Sequence, residues 1–158
     1  MSEKVNLREI VSARRIDMIC GWRQWADAGA TSSGLPQYLI EQTDARLIGE
    51  LNVPECYLFQ IPGTHGLVRP IVEFNDGFPE SLISNLNEIY YSGDEEHGLL
   101  ICLGDEPHLN IDVYISAIFE LADTLNVQRI ISVAGVYGEL PYDKERLISC
   151  IYSQQALR

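Results

Sequence analysis

Asp105, Glu106 and His108 follow directly on an unbroken apolar run, Leu99-Leu100-Ile101-Cys102-Leu103, and a single glycine, Gly104. Two neighbouring carboxylates raise one another's pKa, which can supply a general acid, and an imidazole beside them can relay the proton. The same three side chains offer oxygen and nitrogen donors to a divalent ion. They also suit an ordinary charged turn ahead of a helix, where acids favour the positive end of the dipole. The chain supplies no complete nucleophile–base pair and no ligand set around them. Asp105, Glu106 and His108 are therefore candidates, with no catalytic residue, metal or cofactor assigned.

The elements that must position this cluster can be read outward from it. An apolar run of this length is expected as a strand buried on both faces of a parallel sheet, with the polar cluster at its carboxyl end, where open α/β sheets place ligands. Two further strands end on glycine in the same way: residues 15–20 before Gly21-Trp22, and residues 129–134 before Gly135-Val136-Tyr137-Gly138. Side by side and parallel, the three ends would gather Trp22, Asp27, Gly104, Asp105, Glu106, Gly135 and Tyr137 on one ligand or partner edge. Between Asp27 and Leu35 lies a small-residue turn. It could offer backbone N–H groups to an anion, but it has neither the dinucleotide fingerprint nor the P-loop lysine, and Asp27 would repel phosphate. Ser32 and Ser33 lack the nucleophile-elbow pattern. His65 reads as a loop residue. Trp22 and Trp25 are core residues by default, and an exposed one would mark an interface anchor.

Residues 1–14 read as an entry segment with a short helix over Leu7, Ile10 and Val11. The small-residue turn should open a helix capped by Ser or Thr, with Pro36 in its first turn and Leu35, Leu39 and Ile40 as its stripe to about Gln42. A strand over 46–51 would complete a βαβ unit with parallel pairing. Residues 57–61 and 67–74 read as strands divided by turns at Pro62-Gly63 and Asn75-Asp76-Gly77, paired antiparallel, and 82–91 as extended. Asn110 should cap a helix with Ile111, Ile115, Ile118, Phe119, Ala122 and Leu125 as its apolar positions, completing a second βαβ unit. Residues 147–152 are a last strand candidate, and 153–158 start a helix too short to persist alone. The expectation is an α/β fold of three layers, a mostly parallel sheet flanked by helices. Residues 1–158 would be one domain, the N-terminal portion of a longer one, with self-association covering an open sheet edge.

Composition narrows the function classes. At 158 residues and 46% hydrophobic content, the chain can fill one core. It has no apolar run of membrane-spanning length, and its charged start lacks a signal core, which points to the cytoplasm. Cys20, Cys56, Cys102 and Cys150 are widely spaced and read as buried free thiols. The net charge of −12 is concentrated in the chain's middle. Residues 70–128 hold twelve acids and no Lys or Arg, so the rest of the chain is neutral. That sign argues against nucleic acid and membrane surfaces, and suits a solvated face or a dock for a basic partner.

Several blocks occur in a telling order: GWRQWADAG, RLIGEL, RPIVEFNDG, LLICLGDEP, ISAIFELADTLNV and RIISVAGVYGELP. Together, over about residues 16–152, they resemble the proteasome assembly chaperone family, of the second-chaperone-subunit type with its bacterial and archaeal relatives. The resemblance implies a three-layer α/β fold similar to nucleoside phosphorylases. It also implies a role in protein–protein interaction and assembly, with a protein partner or a homo-oligomer and no chemistry of its own. The alternative is a small-molecule enzyme, nucleoside-phosphorylase-like or an ATP-dependent ligase, working at the strand-end edge. Where many members carry a Pro-His-Thr-Arg-like stretch, this chain reads Pro141-Tyr142-Asp143-Lys144, so no role resting on that His or Arg carries over.

Overall fold

Two nine-residue strands form the centre of the sheet. β2 (Arg15–Arg23) and β7 (His97–Asp105) pair in parallel along their whole length, from Arg15 opposite His97 to Arg23 opposite Asp105. The structure is a computed structural model that describes residues 4–58, 70–83 and 87–155. Around the central pair lie β1 (Val5–Leu7), α1 (Thr31–Gln42), β3 (Arg46–Leu51), β4 (Ile71–Asn75), β5 (Phe78–Ile83), β6 (Asn87–Gly93), α2 (Ile111–Thr124) and β8 (Val127–Ser132). Six strands form one sheet in the order β1-β3-β6-β7-β2-β8, and β4 and β5 form a separate pair.

The alternation of side chains along the central strands explains the layers. Met18, Cys20, Leu100 and Cys102 share a core with Tyr114, Ala117, Ile118 and Leu121 of α2. Gly21, on the opposite face of β2, lies against Ser32 and Pro36 of α1. Among the described residues, one helix therefore covers each face. Leu100, Ile101, Met18 and Ile48 are fully buried, each contributing about 2–3 kcal/mol of transfer free energy.

The α/β class and helix-flanked sheet follow the expectation, and the pairing is mixed. β2 pairs in parallel with β7 and β8, while β1–β3, β3–β6 and β6–β7 are antiparallel. β2 and β3 are not neighbours, because the chain returns from its excursion as β6 and β7 and fills the space between them. The entry segment forms β1 and not a helix, pairing Val5 with Leu51. Gly21-Trp22 and Gly104 do not end their strands but lie within them. Gly21 is there because a Cβ would run into the Ser32 carbonyl, and Gly104 because a Cβ would meet the Asn87 amide.

α1 starts at Thr31, so Pro36 falls in its second turn, buried against β2. Its cap position is Ala30 in the left-handed region, with no side-chain cap; the Asp27 carboxylate instead accepts the Ser33 N–H. Asn110 sits at the cap of α2, but its amide donates to the Glu55 carbonyl at 2.7 Å. The buried line of α2 is Tyr114, Ala117, Ile118, Leu121 and Ala122, whereas Ile111, Ile115 and Phe119 form an exposed second line. The third strand end differs too: β8 closes at Ser132, two residues before Ala134. Residues 147–152 form no strand, and Leu147, Ile148 and Ile151 are exposed. Cys20, Cys56 and Cys102 are buried and free, but Cys150 is exposed. Burial pushes the Cys56 thiol up; a hydrogen bond with Cys20, then burial, does so for Cys102. His65, the turn at Pro62-Gly63, and the strand positions 59–61 and 67–69 lie outside the described residues, as do 84–86 and 156–158.

Candidate functional site

The three trailing loops meet. β2 and β7 leave the sheet at Arg23 and Asp105, which face each other, and the Glu106 N–H donates to the Arg23 carbonyl at 3.3 Å. Asp27 and Gly135 form a parallel bridge: the Ala28 N–H donates to Gly135 O, and the Gly135 N–H to Ala26 O. Ser32 ties the same loops from α1. Its hydroxyl accepts the Trp22 N–H at 2.9 Å and donates to the Val133 carbonyl at 2.6 Å. One hydroxyl among Thr31, Ser32 and Ser33 gave no sequence signal for that task.

The expected site residues are brought to this edge, and most of their polar atoms are engaged in holding it. One oxygen of Glu106 accepts the N–H groups of Trp25 and Ala26, at 3.0 and 3.2 Å. Asp27 accepts both the N–H and the hydroxyl of Ser33. Asp105 lies 3.5 Å from the Arg23 guanidinium, and its carbonyl accepts the Tyr57 hydroxyl. His108 accepts the Leu58 N–H on Nδ1, so its proton sits on Nε2 and donates to Gln24 at 3.0 Å. This arrangement makes a carboxylate clamp on backbone N–H groups, which is what fixes a loop. Among the described residues, no three His, Cys, Asp or Glu side chains converge as a metal cage would require.

Beneath the edge runs a buried polar chain that sequence reading missed. The Trp22 indole N–H donates to the Tyr114 hydroxyl at 2.7 Å, and Tyr114 donates to Asn87 Oδ1 at 2.9 Å. The Tyr57 hydroxyl lies 2.9 Å from the same oxygen and 2.8 Å from Asp105 O. Burial holds both phenols far above their ordinary pKa, so neither supplies a base near neutrality. The signal available was an Asn at the head of the inward-facing positions Asn87, Ile89 and Tyr91, which are otherwise apolar. The cavity here is lined by Trp22, Leu51, Asn87, Glu88, Ile89, Cys102, Gly104 and Tyr114. It measures about 10 Å³, room for about one water. Asp105, Glu106 and His108 do not line it.

The edge displays aromatic surface. Trp22 is half-buried and turned inward, whereas Trp25 is 88% and Tyr137 89% exposed. Trp25 follows Gln24, whose φ of 96° is rare for a side chain of its kind, and Glu106 grips the Trp25 N–H. The indole is thus held out by a strained, clamped loop.

Solved structures share this architecture. A PAC2 family protein from Streptomyces avermitilis matches with a TM-score of 0.76 and 20% identity over 90% of this chain and 59% of its own. A Mycobacterium tuberculosis proteasome-assembly chaperone homologue gives 0.72 and 18%, over 82% and 52%. Pyrococcus furiosus PbaA, an archaeal homologue of proteasome-assembly chaperone, gives 0.50 and 19%, over 90% and 50%. This chain therefore spans between half and three-fifths of the length of these relatives. At such identities the likeness speaks for the fold. No curated protein matches the chain. The model of the PAC2 family matches residues 22–158, taking in β7, the last two residues of β2, both described helices and all three trailing loops, and the chain belongs to that family.

Proposed function

We propose that this chain is a protein-binding module of chaperone type, engaging another protein through the strand-end edge with Trp25 as the anchor and performing no chemistry of its own. The observation that carries this reading is an indole 88% exposed on a loop whose N–H groups are clamped by Glu106. Exposed apolar aromatics held rigidly are the residues that dominate binding energy at protein interfaces. The geometry gives less to the enzyme alternative. Small-molecule sites enclose several hundred Å³; the cavity at this edge is about 10 Å³, Glu106 and His108 are turned to backbone N–H groups, and Asp105 lies against the Arg23 guanidinium. Two of the structures that share this fold are homologues of proteasome-assembly chaperones, which gives the reading its biological direction.

Trp25→Ala should leave the melting temperature within about a degree, since the ring packs on little, and should abolish association with the partner that co-purifies with the wild-type chain. Sedimentation of the chain alone identifies a self-partner: a concentration-dependent mass that Trp25→Ala removes makes the partner a second copy. Retention of every wild-type association by Trp25→Ala would remove the edge from consideration.

A further inference from the structure

The excursion between β3 and β6 carries a second, chemically distinct surface. β4 and β5 form a hairpin of their own, closed by Asp76 and Gly77 with φ of 49° and 85°, both positive as a two-residue hairpin turn requires. Val72 pairs with Leu82 and Phe74 with Pro79, so Val72, Leu82 and Phe74 share one face. Glu73 and Ser81 share the other, and the Ser81 hydroxyl donates to the Glu73 carboxylate at 2.6 Å. On that first face Val72, Phe74 and Leu82 are 43%, 66% and 68% exposed, and Phe78, opposite Asn75 beside the turn on the other face, is 76% exposed. A lone hairpin buries too little to keep such side chains from water, and an apolar cluster of this kind marks an interaction surface.

The charge around it selects the occupant. Glu73, Asp76 and Glu80 are the only ionisable side chains from 71 to 83, and the whole stretch 70–128 has no Lys or Arg. Both described ends of the excursion join the body at the strand-end edge: Leu58 bonds to His108, and Asn87 lies opposite Gly104. We propose that the β4–β5 hairpin is a docking arm for a different protein whose receiving groove is apolar along its floor and lined with Lys or Arg at its rim. Hairpin-to-hairpin pairing between two copies would set these carboxylates against themselves, and an anionic bilayer would repel them as well. This inference rests on the protein-binding reading and adds the chemistry of the partner.

The test titrates the isotope-labelled full chain with a synthetic peptide of alternating Leu and Lys, and separately with its Leu–Glu counterpart, following backbone amide shifts. The Leu–Lys peptide should shift residues 71–83 and bind more weakly as salt rises. Its affinity should fall about tenfold or more in Glu73→Lys/Asp76→Lys/Glu80→Lys and in Phe74→Ser/Phe78→Ser. The Leu–Glu peptide should not bind. Shifts spread over acids outside the hairpin, affinity unchanged in both variants, or equal binding of the Leu–Glu peptide would overturn the proposal. So would a dimer, or adsorption to phosphatidylserine vesicles, that Phe74→Ser/Phe78→Ser abolishes. Trp25→Ala is run alongside. Loss of peptide binding in the hairpin variants alone upholds the arm whatever becomes of the edge, while intact peptide binding there with partner loss in Trp25→Ala upholds the edge and discards the arm.

Discussion

Asn87→Leu should destabilise the fold by about 3 kcal/mol, the cost of a buried hydroxyl left without an acceptor plus a well-bonded amide lost. The two side chains are similar in size, so packing changes little. What disappears is Oδ1, the acceptor of the Tyr114 hydroxyl. Tyr57 retains the Asp105 carbonyl, so the damage concentrates on Tyr114. Tyr114→Phe alone should cost about 2 kcal/mol, because it strips the Trp22 indole of its acceptor as well. The double variant should cost clearly less than the sum, since the orphaned hydroxyl is then gone. Urea titrations of the four proteins measure this. Strict additivity would show that the residues do not act as one network.

Gly21→Ala is expected to cost about 3 kcal/mol, the upper range for forcing one extra carbon into a packed core. The new methyl would collide with the Ser32 carbonyl and sit 2.7 Å from the Pro36 ring. The carbonyl is backbone and cannot rotate away, so α1 must lift from the sheet. That helix carries Ser33, which binds Asp27, and Ser32, which joins β2 to Val133. The damage should therefore reach the edge, seen as faster amide exchange at Trp22 and Ala28 than in Asn87→Leu. A cost under about 1 kcal/mol would mean that α1 slides freely over β2.

What could be read from the chain, and what could not, follows from range. The run Leu99 to Leu103 announced a strand buried on both faces because apolarity without alternation has few other uses. Asn75-Asp76-Gly77 announced its hairpin because the turn needs two positive φ angles and those residues tolerate them. The convergence of the loops after Trp22, Gly104 and Gly135 was also legible, since parallel strands end on one side. Strand order was not. Nothing local tells β3 that β6 will stand beside it. Gly21 read as a strand end because glycine is a local breaker, whereas its actual cause is a carbonyl on a helix eleven residues further on. On α2 two apolar lines run side by side, and composition alone could not choose Tyr114, Ala117 and Leu121 over Ile111, Ile115 and Phe119. The clamping role of Glu106 was hidden for the same reason: a carboxylate looks reactive until its backbone partners are placed.

The clamp has a thermodynamic consequence for association. A loop that must order itself on meeting a partner gives up about 1–2 kcal/mol for each backbone residue frozen, and that loss is subtracted from affinity. Here Glu106, Asp27 and Ser32 have already frozen the segment from Trp22 to Ser33 while the surface is still wet. That ordering is complete in the folded chain, so a partner docking on the indole, as proposed, would lose little affinity to ordering this loop.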